Sequence, residues 1–250
     1  ADGLARLSGR AEMRAVAYDD LESAIDESVA VVLVTQVHYK TGRMRDLAAF
    51  TARAHEAGAL VVWDLSHSTG AVPVDLNGAK ADFAVGCGYK YLNGGPGAPA
   101  FLFAAQRHHA AVQPVLSGWF GHRAPFEFTD DYHAAEGIEQ FLAGTPPVLG
   151  LAALEGGVDV MLEADMVAVR AKSLSLSRLF MERMTPLCAR HGFELVSPEE
   201  DAQRGSQVSY RHEHAYPICQ AMIARGVIGD FRAPDLMRFG FTPLYIGEAE

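Results

Sequence analysis

The stretch Ala59-Leu60-Val61-Val62-Trp63-Asp64 decides the fold: an apolar run too short for a helix ends on an acid. Such a run, bounded by Gly58 on one side and Asp64 on the other, predicts a buried strand that delivers a carboxylate to its C-terminal tip. Upstream, Val29 to Thr35 is another continuous β-branched run. Between the two, Arg45 to Ala57 places Leu47, Phe50, Ala54 and Ala57 at helical spacing, with Gly58 as a C-terminal stop. Strand, helix and strand in this order favour parallel pairing through a right-handed crossover. Phe83 to Cys87 predicts a further strand, and Ala100 to Ala104 another, entered through a Gly/Pro turn that leaves its direction open. Open α/β sheets bind ligands at the carboxyl ends of their strands. That rim receives Asp64 and, just past Phe83–Cys87, the run Gly86-Cys-Gly-Tyr-Lys-Tyr-Leu-Asn-Gly-Gly-Pro-Gly97 with Lys90 at its centre.

The rest of the chain divides into three. Gln113 to Pro147 is rich in Gly, Pro and aromatic residues and reads as a long loop region. Val148 to Met184 is helical in pattern, as two helices or one bent one. Phe193–Val196, Gln207–Tyr210 and Leu236–Phe241 predict short strands, with a helix at Tyr216–Arg225. The expectation is a large α/β domain over residues 1–150 and a linking helix with a smaller α/β unit over 151–250.

Bulk properties narrow the function. The chain has 250 residues, 49% of them hydrophobic, and a formal net charge of −10. An acidic balance argues against a nucleic-acid partner, and no apolar stretch reaches the length of a membrane span. The three cysteines, Cys87, Cys188 and Cys219, stand at unrelated spacings, so neither a disulfide framework nor a metal site is expected. A cytoplasmic enzyme acting on a small molecule fits best.

Alternative readings stand side by side for each candidate residue. Asp64 caps the turn that follows it, or faces the nitrogen of a pyridine ring and keeps it cationic. Lys90 is a surface lysine of a loop, or a desolvated amine suited to imine formation. Tyr89 packs, or donates to a phosphate oxygen. His67 packs, or contacts the acid or a cofactor ring. Trp119, in Ser117-Gly-Trp-Phe-Gly-His122, is a lid, an interface anchor or a binding residue. Thr145, before a predicted helix, is first of all a helix cap and could equally donate to a phosphate. Arg238, inside the otherwise apolar Leu236-Met-Arg-Phe-Gly-Phe241, binds a carboxylate bidentately or belongs to a buried ion pair. A lysine paired with an acid on one rim is what pyridoxal phosphate chemistry needs.

Five stretches together resemble the kynureninase family, type I pyridoxal phosphate enzymes on the aspartate aminotransferase fold. They are Thr35-Gln-Val-His-Tyr-Lys-Thr-Gly42, Trp63-Asp-Leu-Ser-His-Ser-Thr-Gly70, Gly88-Tyr-Lys-Tyr-Leu-Asn-Gly-Gly-Pro-Gly-Ala-Pro99, Ser117-Gly-Trp119, and Ile228-Gly-Asp-Phe-Arg232 through Arg238 to Pro243-Leu-Tyr245. The Tyr-Lys-Tyr-Leu-Asn-Gly-Gly-Pro-Gly run is the most specific of them. The resemblance implies a mostly parallel sheet between helices, with a smaller C-terminal α/β domain. It implies Lys90 as the Schiff-base lysine, Asp64 as the pyridinium partner, His67 and Thr35 as further cofactor contacts, and Tyr89 as a phosphate ligand that also serves in proton transfer. Trp119 and Thr145 would reach the phosphate of a neighbouring subunit, so the active site would belong to a homodimer. Arg238 would clamp the substrate α-carboxylate. The reaction implied is hydrolysis of L-kynurenine to anthranilate and L-alanine, in tryptophan catabolism.

Family members extend further at their N-terminus, where a ring-stacking aromatic residue and a phosphate-cradling loop lie, and nothing before Val29 resembles either. The expectation is therefore a partial fold that binds cofactor weakly and leaves sheet edges and apolar faces uncovered. Two other readings compete. A cysteine desulfurase or selenocysteine lyase on the same fold would need a catalytic cysteine in a mobile loop, and none of the three cysteines is so placed. A non-catalytic scaffold would lack a Lys90-dependent cofactor band.

Overall fold

The computed structural model describes residues 2–249. A short helix, α1 (Asp2–Ser8), is followed by β1 (Val31–Thr35), α2 (Leu47–Glu56), β2 (Leu60–Asp64), β3 (Phe83–Cys87) and β4 (Ala100–Ala104). β1 begins two residues later than its apolar run because Val29 is drawn into a turn, its N–H bonded to the carbonyl of Asp26. α2 begins at Leu47 because Asp46 caps it, accepting from the N–H of Ala49 at 2.9 Å.

The first sheet has the order β1-β2-β3-β4, parallel through β3 and antiparallel at β4. Alternation sorts its side chains. Val32, Val34, Val61, Trp63 and Ala84 face Leu47, Phe50 and Ala54 of α2 and form the main core. Trp63 meets Phe50 edge-on at 5.4 Å and donates its indole N–H to the Thr51 hydroxyl. The opposite face is the open one: Val31 and Leu33 are more than half exposed and Leu102 nearly so. α2 thus covers one side of this sheet, and the other carries an apolar strip. Thr35 and Asp64 belong to that open face, at the carboxyl rim.

The opposite, amino-terminal rim is closed by Asp82. Its carboxylate is buried and accepts from the backbone N–H of Val61, the guanidinium of Arg107 and the ring nitrogens of His55 and His108, at 2.7–2.9 Å. Burial alone would raise its pKa, but these bonds more than offset that and bring it down to about 2.

The long loop region contains only short 3-10 turns, at Trp119–Gly121, Pro125–Glu127 and Gly137–Phe141. The following helical segment is two helices, α3 (Val148–Glu163) and α4 (Met166–His191). Asp165 makes the break, capping α4 by accepting from the N–H of Val167. α3 lies close to the turn that carries Lys90: a Cβ on Gly157 would stand 2.2 Å from the carbonyl oxygen of Leu92, so only glycine allows the approach.

The second sheet is antiparallel, β5-β6-β8-β7, from β5 (Glu194–Leu195), β6 (Gln207–Arg211), β7 (Asp230–Arg232) and β8 (Leu236–Gly240). β7 is not predicted from the sequence; three residues give too little pattern to read. Tyr210, Phe231, Met237 and Phe239 face Phe180 of α4 and Cys219 of α5 (Ala215–Ile223). The other face presents Ser209, Arg238 and Asp230 in one register row.

A seam of hydrogen bonds joins the two sheets' segments. Met44 N–H donates to Gln203, Gly205 N–H to Gly42, and the Tyr91 hydroxyl to Ser206. The guanidinium of Arg170 is spent on the carbonyls of Asp201, Arg204 and Gly205. Among the described residues no helix is long and apolar enough to cross a membrane.

Candidate active site

Parallel pairing sets the site. Thr35 and Asp64 are register partners on neighbouring strands and point to the same face. The Thr35 hydroxyl lies 3.0 Å from the carbonyl of Val37 and 3.3 Å from that of Asp64, so it is anchored to the rim. Asp64 Oδ1 accepts from the N–H of Ser66 at 2.9 Å, which bends the chain into the turn that bears His67. That bond uses one carboxylate oxygen; Oδ2 is left for a ligand.

The turn after β2 and the turn after β3 then meet. Gly70 takes φ +82°, and a Cβ there would come within 2.6 Å of the Tyr91 carbonyl oxygen. This backbone contact brings His67 to Lys90, with Nε2 3.1 Å from Nζ. Lys90 Nζ also stands 5.4 Å from the centroid of the Tyr89 ring.

Electrostatics fix the state of His67. Its pKa is held down to about 4, first by burial, then by the positive charge of Lys90 and of Arg238, with Asp64 opposing and Arg232 adding a little. At neutral pH the ring is uncharged, so Nε2 can accept a proton of the Lys90 ammonium.

Arg238 reaches the same place from β8. Its Nε donates to Asp230 Oδ2 at 2.7 Å, Nη2 donates to the same oxygen, and Nη1 donates to the carbonyl of Tyr39. Of the two readings of this arginine, the ion pair is present, with Asp230. The charge is nonetheless near enough to act on His67, so the pair does not remove Arg238 from the site.

The predicted residues therefore fall into two groups. Thr35, Asp64, His67, Tyr89, Lys90 and Arg238 lie on or against one rim. Trp119 and Thr145 are presented elsewhere. Trp119 is 43% exposed and packs edge-on against Phe120 and Phe126, beside an open cleft of about 340 Å³ that His122, Phe128 and Tyr132 also line. Thr145 is exposed and, contrary to the expectation from sequence, does not cap the helix after it. α3 starts at Val148 behind Pro147, with no side-chain cap bond, and Thr145 stands too far upstream to reach the first free N–H groups.

Sequence reasoning missed Asp230, Arg232 and the Tyr39 carbonyl. The first two left only the trace of Asp230-Phe231-Arg232, three residues too short to read as a strand, whose partner Arg238 is met only through the pairing of β7 with β8. A backbone carbonyl leaves no such trace.

The donor set fits pyridoxal phosphate. An amine and a free carboxylate oxygen on adjacent strand tips, with a neutral imidazole between, suit a cationic ring attached to the amine.

Comparison with known proteins agrees with the geometry. Residues 169–250 match the kynureninase C-terminal domain. The chain is 52% identical to a kynureninase of Deinococcus radiodurans over all 250 residues, and it spans 61% of that relative's length. Among solved structures it superposes on a mutant of C-DES carrying glycine covalently linked to the pyridoxal phosphate cofactor, with a TM-score of 0.77 at 17% identity, covering 94% of this chain and 62% of that one. It likewise superposes on a cysteine desulfurase from Escherichia coli, with a TM-score of 0.74 at 22% identity, covering 92% and 58%. Identities that low establish the shared fold alone. The chain therefore shares about half its residues with a curated kynureninase and has the fold of solved enzymes that carry pyridoxal phosphate.

Proposed function

We propose that the chain contributes to a pyridoxal phosphate-dependent hydrolase that splits the Cβ–Cγ bond of L-kynurenine, with water, into anthranilate and L-alanine. The observation that carries the reading is the meeting of Lys90 Nζ with a neutral His67 on the rim that also bears Asp64.

When bound, the cofactor supplies an electron sink for negative charge developed on the substrate's Cα and side chain. The residues do the rest. Lys90 would hold the cofactor through Nζ and would move the substrate's Cα proton at the same atom. Asp64 Oδ2 holds the ring nitrogen protonated. His67, uncharged, adds no second cation beside Lys90 and steadies the amine through Nε2. Thr35 bounds the ring on the β1 side. Tyr89, half exposed beside Lys90, binds phosphate and relays a proton through its hydroxyl. Arg238 orients the substrate by its carboxylate.

The reading includes a homodimer with a shared site and a cytoplasmic setting. Trp119 and Thr145 support the dimer: both are exposed, as residues serving another copy's phosphate would be. The apolar strip of the first sheet and the exposed Val148, Leu149 and Leu162 of α3 are surfaces that further protein would cover. The domain division at residue 150 belongs to the same proposal. A desulfurase is disfavoured because Cys219 is buried, Cys188 lies within α4 and Cys87 lies within β3.

The test is spectroscopic and chemical. Protein incubated with pyridoxal phosphate should gain a visible absorbance band that Lys90→Ala abolishes without a change in melting temperature. L-kynurenine should then yield anthranilate fluorescence. A band that survives Lys90→Ala, or its absence from the parent protein, ends this reading.

A further inference from the structure

A guanidinium has five N–H donors, and which of them are occupied decides what it can still bind. In Arg238 the Nε–H and the adjacent Nη2–H both go to Asp230 Oδ2, which fills the side-on fork. One Nη1–H goes to the Tyr39 carbonyl. What remains is one N–H on Nη1 and one on Nη2, and with the Tyr39 carbonyl taking the Nη1–H on the Cδ side these two form the end-on edge. That pair matches the two oxygens of a carboxylate.

Charge points the same way. Asp230 is shared: its Oδ1 accepts from Arg232 Nη1 at 2.6 Å while Oδ2 holds Arg238. Two guanidinium groups around one carboxylate leave one positive charge over, and of the two arginines Arg238 is the shielded one, its side chain only 11% exposed. A partly desolvated cation seeks an anion. The surplus also bears on His67, which both arginines help keep neutral.

The geometry points to Asp230 as the positioning residue that clamps the side-on fork of Arg238 and reserves its end-on edge for the α-carboxylate of an amino acid substrate. This deepens the functional reading above and rests on it for the identity of the substrate. Asp230 touches no reacting atom; it acts through Arg238. Tyr39 fixes the third direction, its carbonyl accepting from both Arg238 and Gln207. With Nε, Nη2 and Nη1 each tied down, the guanidinium plane cannot turn, and the carboxylate is met by a fixed pair of donors.

The experiment is Asp230→Asn in protein loaded with pyridoxal phosphate, assayed with L-kynurenine and with its decarboxylated analogue. The KM for L-kynurenine should rise about tenfold, the loss of one well-aligned charge-assisted contact. kcat should change little, and the Lys90-dependent band should be unaltered. With the analogue, parent and variant should behave alike. An unchanged KM for L-kynurenine, or an equal loss with both compounds, overturns the proposal. A second measurement does not depend on turnover. In ¹⁵N spectra of the parent protein titrated with L-alanine, the Arg238 Nη signals should shift and the Nε signal should not. Movement of Nε instead would mean that the ligand displaces Asp230, and would also overturn it. If the parent shows these shifts but no Lys90-dependent band, the functional reading fails and the role of Asp230 stands.

Discussion

The first sheet has two rims, and each carries an acid among bases. At the amino-terminal rim Asp82 is buried and saturated: backbone, arginine and two histidines supply a donor for each direction its oxygens offer. At the carboxyl rim Asp64 gives one oxygen to Ser66 and keeps the other. His67 and Lys90 there bond each other rather than the acid. A carboxylate whose partners are all internal stabilises the fold. One left half-satisfied beside a lysine and a neutral histidine is arranged for something that arrives from outside.

Exchanging the roles of the two acids would break this contrast. On the proposed function, Asp64→Asn should cost about a thousandfold in turnover, roughly 4 kcal/mol of barrier, since the cofactor ring would lose the partner of its protonated nitrogen. Its melting temperature should stay near that of the parent. Asp82→Ala should do the reverse, lowering unfolding free energy by roughly 3 kcal/mol as two histidines and an arginine lose a common acceptor, with cofactor binding preserved. Urea unfolding and the visible band, measured on both variants, decide the matter. Equal effects of the two substitutions on both readouts would erase the distinction between the rims.

A smaller effect sharpens it. His67 titrates near pH 4 in the folded chain, against an ordinary histidine value of 6.5. The unfolded chain therefore takes up its proton first as pH falls. The stability due to the neutral ring is intact above pH 6.5 and is lost progressively between 6.5 and 4. The loss should amount to roughly 1 kcal/mol between about pH 7 and 5.5. His67→Gln should flatten that part of the profile, read as the difference between parent and variant in urea unfolding. Asp82 acts in a separate window, since its depressed pKa holds stability above about 3.8 and gives it up toward 2. A slope over the first of these windows that is unmoved by His67→Gln would mean that the ring takes up its proton alike in the folded and the unfolded chain.

How much of this was legible before the structure depends on whether a feature is local. β1, β2 and β3 announce themselves as apolar runs closed by turn residues, and α2 by its spacing and its stop at Gly58. Asp64 and Lys90 stand out because each directly follows such a run. The split between α3 and α4 turns on a single capping residue, Asp165, in a segment whose composition is uniformly helical. A cap at Thr145 requires the helix to start right behind it, whereas Pro147 itself stands at the helix start. Asp82 carries no signal of its own in the sequence: its meaning comes from His55, Arg107 and His108, which only folding brings together. Asp230 is the same kind of omission, since its two arginines become its partners through the pairing of β7 with β8.

The carbonyl of Tyr39 has one more consequence. It belongs to the loop after β1, yet it accepts from Gln207 and Arg238 of the second sheet. On the proposed role of Arg238, grip on a carboxylate and the contact between the two halves would draw on a shared oxygen atom. By reciprocity, prising the halves apart would loosen the guanidinium, and an occupied guanidinium would resist the prising by the same free energy.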